Sequence, residues 1–246
     1  MISRNSRIED VALEVSKNGL ALYYAGEKYQ DDKYIVLIAV KQNGLALQYA
    51  SDRLKNDREV VLEAVKNDGG VLGFVSERLK NDKEVVLIAV QQDGNLLQYA
   101  SFELQSDKEV VLAAVRQNYA AYLFASFELQ EDENVVLEIL KQSPSSINTI
   151  SPRLKNDSNF MFKAAKQDIN ILNYVSASMK ETVLDLFVNE ELENIAKQEE
   201  PYIVKEKELK IKIEELDSMI SHLEEKKKRL LNQLEEVKID RVNHVR

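Results

Sequence analysis

The chain contains no cysteine. That absence excludes a disulfide scaffold and any thiolate metal site, and it suits a reducing compartment. There are only two histidines among 246 residues, His222 and His244. Neither stands near a second ligand type at metal spacing, so no metal site is expected. No run of 18 apolar residues occurs, and the N-terminal "MISRNSRIEDVALEV" turns acidic and amphipathic too early for a signal peptide. A soluble protein without membrane insertion, cytoplasmic in type, is the expectation.

The chemistry of catalysis is also missing. No glycine-rich phosphate loop is present among the seven glycines, and "DGGVLG" (Asp68 to Gly73) belongs to a turn that recurs elsewhere. Paired carboxylates such as Glu190 with Glu191, or Glu199 with Glu200, lie in charge runs typical of a solvated helix. No Ser/His/Asp arrangement is found. The expectation is a protein that is not an enzyme and takes no cofactor.

Positive charge is in short supply. The formal net charge is −9. Residues 201–246 are near neutral, so the deficit lies in the first 200 residues. Nucleic-acid binders usually carry a basic face. A helical repeat reading one base per unit is therefore a minor alternative, and no nucleic-acid partner is expected.

What is abundant is repetition. "DREVVLEAVKNDG" runs from Asp57 to Gly69, and "DKEVVLIAVQQDG" from Asp82 to Gly94. Asp32, Asp57, Asp82, Asp107, Asp132 and Asp157 fall on one position of a 25-residue period. A weaker first copy starts at Arg7, which gives seven copies from about 7, 32, 57, 82, 107, 132 and 157, ending near 181. A fixed period of this length indicates a solenoid. Each Asp suits a helix N-cap, and Glu59, Glu84 and Glu109 suit the positive end of the helix dipole. Val60, Val61, Ala64 and Val65 recur at helical spacing. Gly19, Gly44, Gly69 and Gly94 read as left-handed C′ residues that stop the helix. The second half, "LALQYASDRLKN" after Gly44, reads as a short second helix with Leu47, Tyr49, Ala50 and Leu54 inward. One unit buries too little apolar surface to offset the entropy of ordering 25 residues, so the units must stack.

This wording, "DxEVVLxAV…G…ASxxLK", resembles the domain-of-unknown-function 4116 tandem helical repeat over residues 7–180. A looser similarity is to the leucine-rich repeat variant, another short all-helical solenoid. The first resemblance implies a protein of bacteria living inside eukaryotic cells, often a secreted effector acting in the host cell cytosol. It implies no catalytic residue. Copies one, six and seven depart from the pattern at Arg7, at Pro144, and at Phe160, Met161 and Phe162.

Two further segments follow. Residues 182–200 read as a C-terminal capping helix, with Leu184, Phe187, Val188, Leu192 and Ile195 on one face. Residues 201–246 read as a long coiled-coil helix. Leu209, Leu216, Leu223, Leu230 and Val237 share one heptad position, and Ile213, Ile220, Lys227 and Leu234 the other. Leu at d with Ile and a single Lys at a favours a parallel two-stranded coiled coil. A homodimer through residues 202–243 is the favoured reading; the chain's own solenoid and a foreign helix are the alternative partners of the stripe.

The fold class is thus all-α, an α-solenoid of about seven 25-residue helix–turn–short-helix repeats followed by a long coiled-coil helix. The function expected is a non-enzymatic scaffold for a protein or peptide partner, with a targeting and dimerising module of a larger effector as the alternative. Candidate partner-binding residues are Phe102 and Phe127, which replace Asp52 and Glu77 at one repeat position, Tyr119 and Tyr122 nearby, and Ile38 and Ile88, whose position holds Glu63 and Glu138 in other copies. The alternative for the two phenylalanines is packing on each other between repeats.

Overall fold

The computed structural model describes residues 7–196 and 202–243, with side chains described for 7–195 and 206–236. The described residues form helices and turns, and no strand. They divide into two units, residues 1–183 and 184–246.

In the first unit the 25-residue phrase becomes three elements rather than two. Ten-residue helices recur as α1 (Ile8–Lys17), α3 (Lys33–Gln42), α5 (Arg58–Asn67), α7 (Lys83–Gln92), α9 (Lys108–Gln117), α11 (Glu133–Gln142) and α13 (Ser158–Gln167). Between them stand four-residue helices α2 (Glu27–Gln30), α4 (Asp52–Lys55), α6 (Glu77–Lys80), α8 (Phe102–Gln105), α10 (Phe127–Gln130) and α12 (Pro152–Lys155). Each long helix reaches the next short one through a 3-10 segment, such as Gly44–Tyr49 and Gly69–Phe74.

The aspartates cap as expected. The Asp82 carboxylate accepts the N–H groups of Glu84 and Val85 at 3.1 and 3.2 Å. Val60, Val61, Ala64 and Val65 are fully buried, as are their counterparts in α7 and α9. Phe160 and Met161 fill the same core positions in the seventh copy. Arg7, where the aspartate is lacking, caps nothing with its side chain and pairs with Asp10 at 3.4 Å.

The glycines work differently from the expectation. Gly19, Gly44, Gly69 and Gly94 are not left-handed; the positive-φ residue is Gly26. Six of the seven long helices end in extended Asn or Asp residues, such as Asp93 with φ −146° and ψ 114°, whose side chains cap the following 3-10 segment; α11 ends in Ser143, which makes no such cap. Glycine is required because the next repeat presses close. A Cβ on Gly94 would lie 2.2 Å from the Ala114 carbonyl oxygen, and one on Gly44 2.5 Å from that of Ala64.

Three ladders tie repeat to repeat. The first-turn cation of one helix meets the capping aspartate of the next: Lys33 with Asp57 at 2.8 Å, Arg58 with Asp82 at 2.6 Å, Lys83 with Asp107 and Lys108 with Asp132 at 2.7 Å. The N–H groups of Ser51, Ser76, Ser101 and Ser126 donate to the carbonyls of Gln30, Lys55, Lys80 and Gln105 at 2.9–3.2 Å. Side-chain amides of Gln42, Asn67, Gln92 and Gln117 take the N–H groups of the four glycines.

The capping helix expected over 182–200 is α14 (Ala177–Ala196). It starts earlier because the Ser176 hydroxyl caps Met179 N–H at 3.1 Å, and it runs on because Thr182 stands where an aspartate opens the next long helix after each earlier short one. Its expected apolar face is only partly covered. Val183 and Ile195 are buried, whereas Val188 and Leu192 are exposed.

In the second unit α15 (Tyr202–Asn243) is 42 residues long, about 63 Å. Lys212 pairs with Glu191, beside a hollow lined by Phe187, Leu216 and Met219. Leu209, Leu216 and Ile220 are half-buried and Leu223 is buried. Ile213, expected in the seam, is 47 % exposed, and Lys227, Leu230 and Leu234 are exposed. The α14 segment from Leu184 spans about 20 Å, too short to cover a stripe of that length. The Val237 side chain, like Pro201 and His244, lies outside the described residues.

Candidate interaction surface

The short helices recur once per repeat in the first unit, and the sequences of five of them fall into two kinds. α4, α6 and α12 read DRLK, ERLK and PRLK; α8 and α10 both read FELQ. The third residue, always leucine in these five, is buried. The first two residues face solvent.

In the DRLK-type helices the arginine forms a fork to the preceding repeat. Arg78 donates from Nε to the Asn56 side-chain oxygen at 2.9 Å and from Nη2 to the Asn56 carbonyl at 2.6 Å. The Ser76 hydroxyl donates to that same side-chain oxygen at 2.7 Å. Arg53 grips Asp31 in the same way, and Arg153 grips Glu131. The Arg153 hydrogen bond is the main cause holding the Glu131 carboxyl below its usual range.

Repeats four and five dismantle this fork. Glu103 and Glu128 occupy the arginine position. At the joint entering repeat four, the Ser101 hydroxyl still donates to Asn81 at 2.6 Å. At the joint entering repeat five, Ser106 replaces the Asn or Asp acceptor. The Ser126 hydroxyl, in a residue only 6 % exposed, then has no hydrogen-bond partner among the described residues. Neither Glu103 nor Glu128 is ion-paired among the described residues, whereas Glu77 pairs with Lys80 at 2.7 Å.

The sequence-selected residues separate clearly. Phe102 is 72 % and Phe127 84 % exposed, at equivalent positions of adjacent repeats. They are not packed away between repeats. Tyr119 is exposed at the start of its 3-10 segment. Tyr122 is a correction: it is 5 % exposed, and its hydroxyl donates to the Gln130 carbonyl at 3.0 Å. Burial, with Glu131 nearby, pushes its phenol above the ordinary value. Ile38 and Ile88 are half-buried and stand two repeats apart with Glu63 between them, so they make no continuous patch.

Sequence reasoning missed Leu123, 67 % exposed, and a ladder of aromatics at the end of the 3-10 segments. Tyr24, Tyr49, Phe74, Tyr99, Phe124 and Tyr174 share one repeat position. Tyr24, Phe74, Tyr99 and Tyr174 are exposed, while Tyr49 and Phe124 are half-buried. Tyr49 lies on Tyr23 with ring centroids 5.1 Å apart, and the Tyr99 ring lies over Gly73. The 25-residue recurrence was the available signal. Tyr99 and Phe124 stand three residues before Phe102 and Phe127 respectively, exposed at Tyr99 and half-buried at Phe124.

Among the described residues no group of three or more His, Cys, Asp or Glu is placed to hold a metal ion. No helix of the described residues is long and apolar enough to cross a membrane. A family described as a domain of unknown function (DUF4116) matches residues 9–55, 32–80, 57–105, 82–130 and 132–180. No curated protein and no solved structure matches the chain.

Proposed function

The chain belongs to the DUF4116 family of tandem helical repeats, and we propose that it is a non-enzymatic scaffold that binds a protein partner on the short-helix ridge of repeats four and five. One observation carries this reading: two large aromatic side chains, Phe102 and Phe127, stand 72 % and 84 % exposed on an ordered helical framework. Exposed apolar side chains grouped in this way mark interaction surfaces, and aromatic anchors supply much of the energy of such interfaces. The buried core of each repeat provides a rigid mount, so little ordering is needed on binding.

The proposal extends to the tail. Leu230 and Leu234 are exposed on α15; Leu230 continues the heptad position of Leu216 and Leu223, and Leu234 that of Ile213 and Ile220. A second copy of α15 covers them in a parallel coiled coil, which presents two ridges and raises affinity for a multivalent target. The effector association that the family resemblance implies makes a host cell protein the finer version of the partner.

The test places a photo-crosslinking residue at position 127 of the full chain, and a control at position 152, the same position of the next repeat. A protein adduct formed from 127, absent from 152 and lost on Phe102→Ala, is the expected outcome. Equal adducts from both positions, or none from 127, would overturn the reading.

A further inference from the structure

We propose that the ridge of α8 and α10 takes a basic, arginine-containing segment of its partner, in extended conformation. This rests on the scaffold reading and names the chemical class of the partner.

The first ground is charge. The DRLK and ERLK helices each carry a net +1 and PRLK +2, while each FELQ helix carries −1. The reversal is confined to two adjacent repeats. Arg78 and Lys80 stand on one side of them, Arg153 and Lys155 on the other. A cationic segment is therefore attracted to α8 and α10 and repelled at both ends, which fixes its position as well as its sign.

The second ground is the empty place of the fork. At three joints a guanidinium of this chain donates to a carbonyl of the preceding repeat, at 2.6 Å to Asp31 and Asn56 and 2.7 Å to Glu131. At the equivalent joints of Asn81 and Ser106 the arginine position is held by Glu103 and Glu128. At the second of these joints the Ser126 hydroxyl is orphaned as well. An arginine from outside takes up there the place that internal arginines hold at the other joints, with a carboxylate to balance its charge. The third ground is the pair of rings. Phe102 and Phe127 offer open faces to guanidinium planes, which stack on aromatics more readily than an ammonium does.

The register sets the spacing. Packed helices lie about 8–10 Å apart, and an extended polyproline II chain advances about 3.1 Å per residue with three residues per turn, so that side chains three positions apart share one face. Two arginines about three positions apart would serve the two joints.

The test is a fluorescence-anisotropy titration of the full chain with two labelled nonapeptides. One carries two arginines three positions apart in an alanine and serine background; the other carries citrulline at both places. Saturable binding of the arginine peptide is expected, with citrulline weakening it at least tenfold. Glu103→Arg with Glu128→Arg restores an internal arginine at both joints, against Asn81 with its side-chain oxygen and against the Ser106 carbonyl, and it should weaken the arginine peptide at least tenfold without lowering the melting temperature. Phe102→Ala with Phe127→Ala should weaken it about tenfold. Equal binding of the two peptides, no saturable binding of the arginine peptide, or undiminished binding by either double variant would overturn the proposal. Such a failure beside a partner adduct from position 127 would remove only the basic class of partner and leave the scaffold reading in place.

Discussion

The side-chain oxygen of Gln92 accepts the backbone N–H of Gly69 at 2.8 Å, across 23 residues, while its Nε2 donates to the Val65 carbonyl at 2.7 Å. One amide thus closes the turn of one repeat and the helix end of the same repeat from the repeat that follows. Gln42 with Gly19 and Gln117 with Gly94 repeat the N–H bond at 2.6 Å, and Asn67 with Gly44 at 2.7 Å. At Gly19, Gly44 and Gly94 an added Cβ would lie 2.2–2.5 Å from a carbonyl oxygen of the next repeat.

Gly94→Ala is therefore expected to destabilise the chain by about 1–3 kcal/mol, the cost of forcing a methyl into a packed joint. Gly73→Ala is the contrast, because its Cβ would meet the Tyr99 ring at an ordinary 3.7 Å. Its urea midpoint should stay near that of the wild type. Equal loss in both variants would show that glycine serves the backbone here rather than the joint.

The capping aspartates predict acid sensitivity. At Asp82 the hydrogen bond from Arg58 is the largest influence and holds the carboxyl below its usual range. At Asp57, Asp107 and Asp132 burial is the largest single influence and pushes upward, but the neighbouring lysine and backbone N–H groups together outweigh it. A carboxyl lowered in the folded state stabilises the fold above its unfolded value and loses that contribution as pH falls through the folded value. With unfolded aspartate near 3.9, the urea midpoint in moderate salt should hold above about pH 5 and fall below about pH 4. A midpoint that stays level down to pH 2.5 would contradict the assigned role of the ladder.

Buried and exposed aromatics should respond oppositely. Tyr122→Phe removes the bond to the Gln130 carbonyl and should cost about 0.5–1.5 kcal/mol. Phe102→Ala and Phe127→Ala should each stay within about 0.5 kcal/mol of wild type. Denaturation that ranks them the other way would place the phenylalanines in the core.

For the tail, Leu230→Glu with Leu234→Glu puts charge on the uncovered stripe of α15. Light scattering on the full chain should give twice the chain mass for the wild type and a single chain mass for the variant. A monomeric wild type would remove the homodimer from the account.

Much of this fold was legible because the period and the caps are local. Asp57 and Asp82 announce their helices, and Val60, Val61, Ala64 and Val65 mark the core, without reference to anything distant. Two features were not legible. Gly44 serves a left-handed stop and a crowded joint equally well in sequence; only Asn67, 23 residues on, tells them apart. Tyr49 reads as inward on an α-helical period, but its segment is a 3-10 helix with three residues per turn, and the position is half-buried at Tyr49 and exposed at Phe74 and Tyr99. The candidate surface was visible in part, since Phe102 and Phe127 break a position held by Asp52 and Glu77. The lost fork was hidden, because its meaning depends on Arg78 and Asn56 meeting across a joint.

On the proposed reading the joint entering repeat five lacks internal ties because it serves a binding surface, and one variant tests this most directly. Ser106→Asn with Glu128→Arg rebuilds at the entry to repeat five the arrangement of Asn56, Ser76 and Arg78. Urea unfolding of the full chain should then show a higher midpoint than the wild type, with the Ser126 hydroxyl and the new guanidinium both satisfied. A midpoint equal to or below that of the wild type would show that nothing was surrendered there, and that the exposed phenylalanines need another explanation.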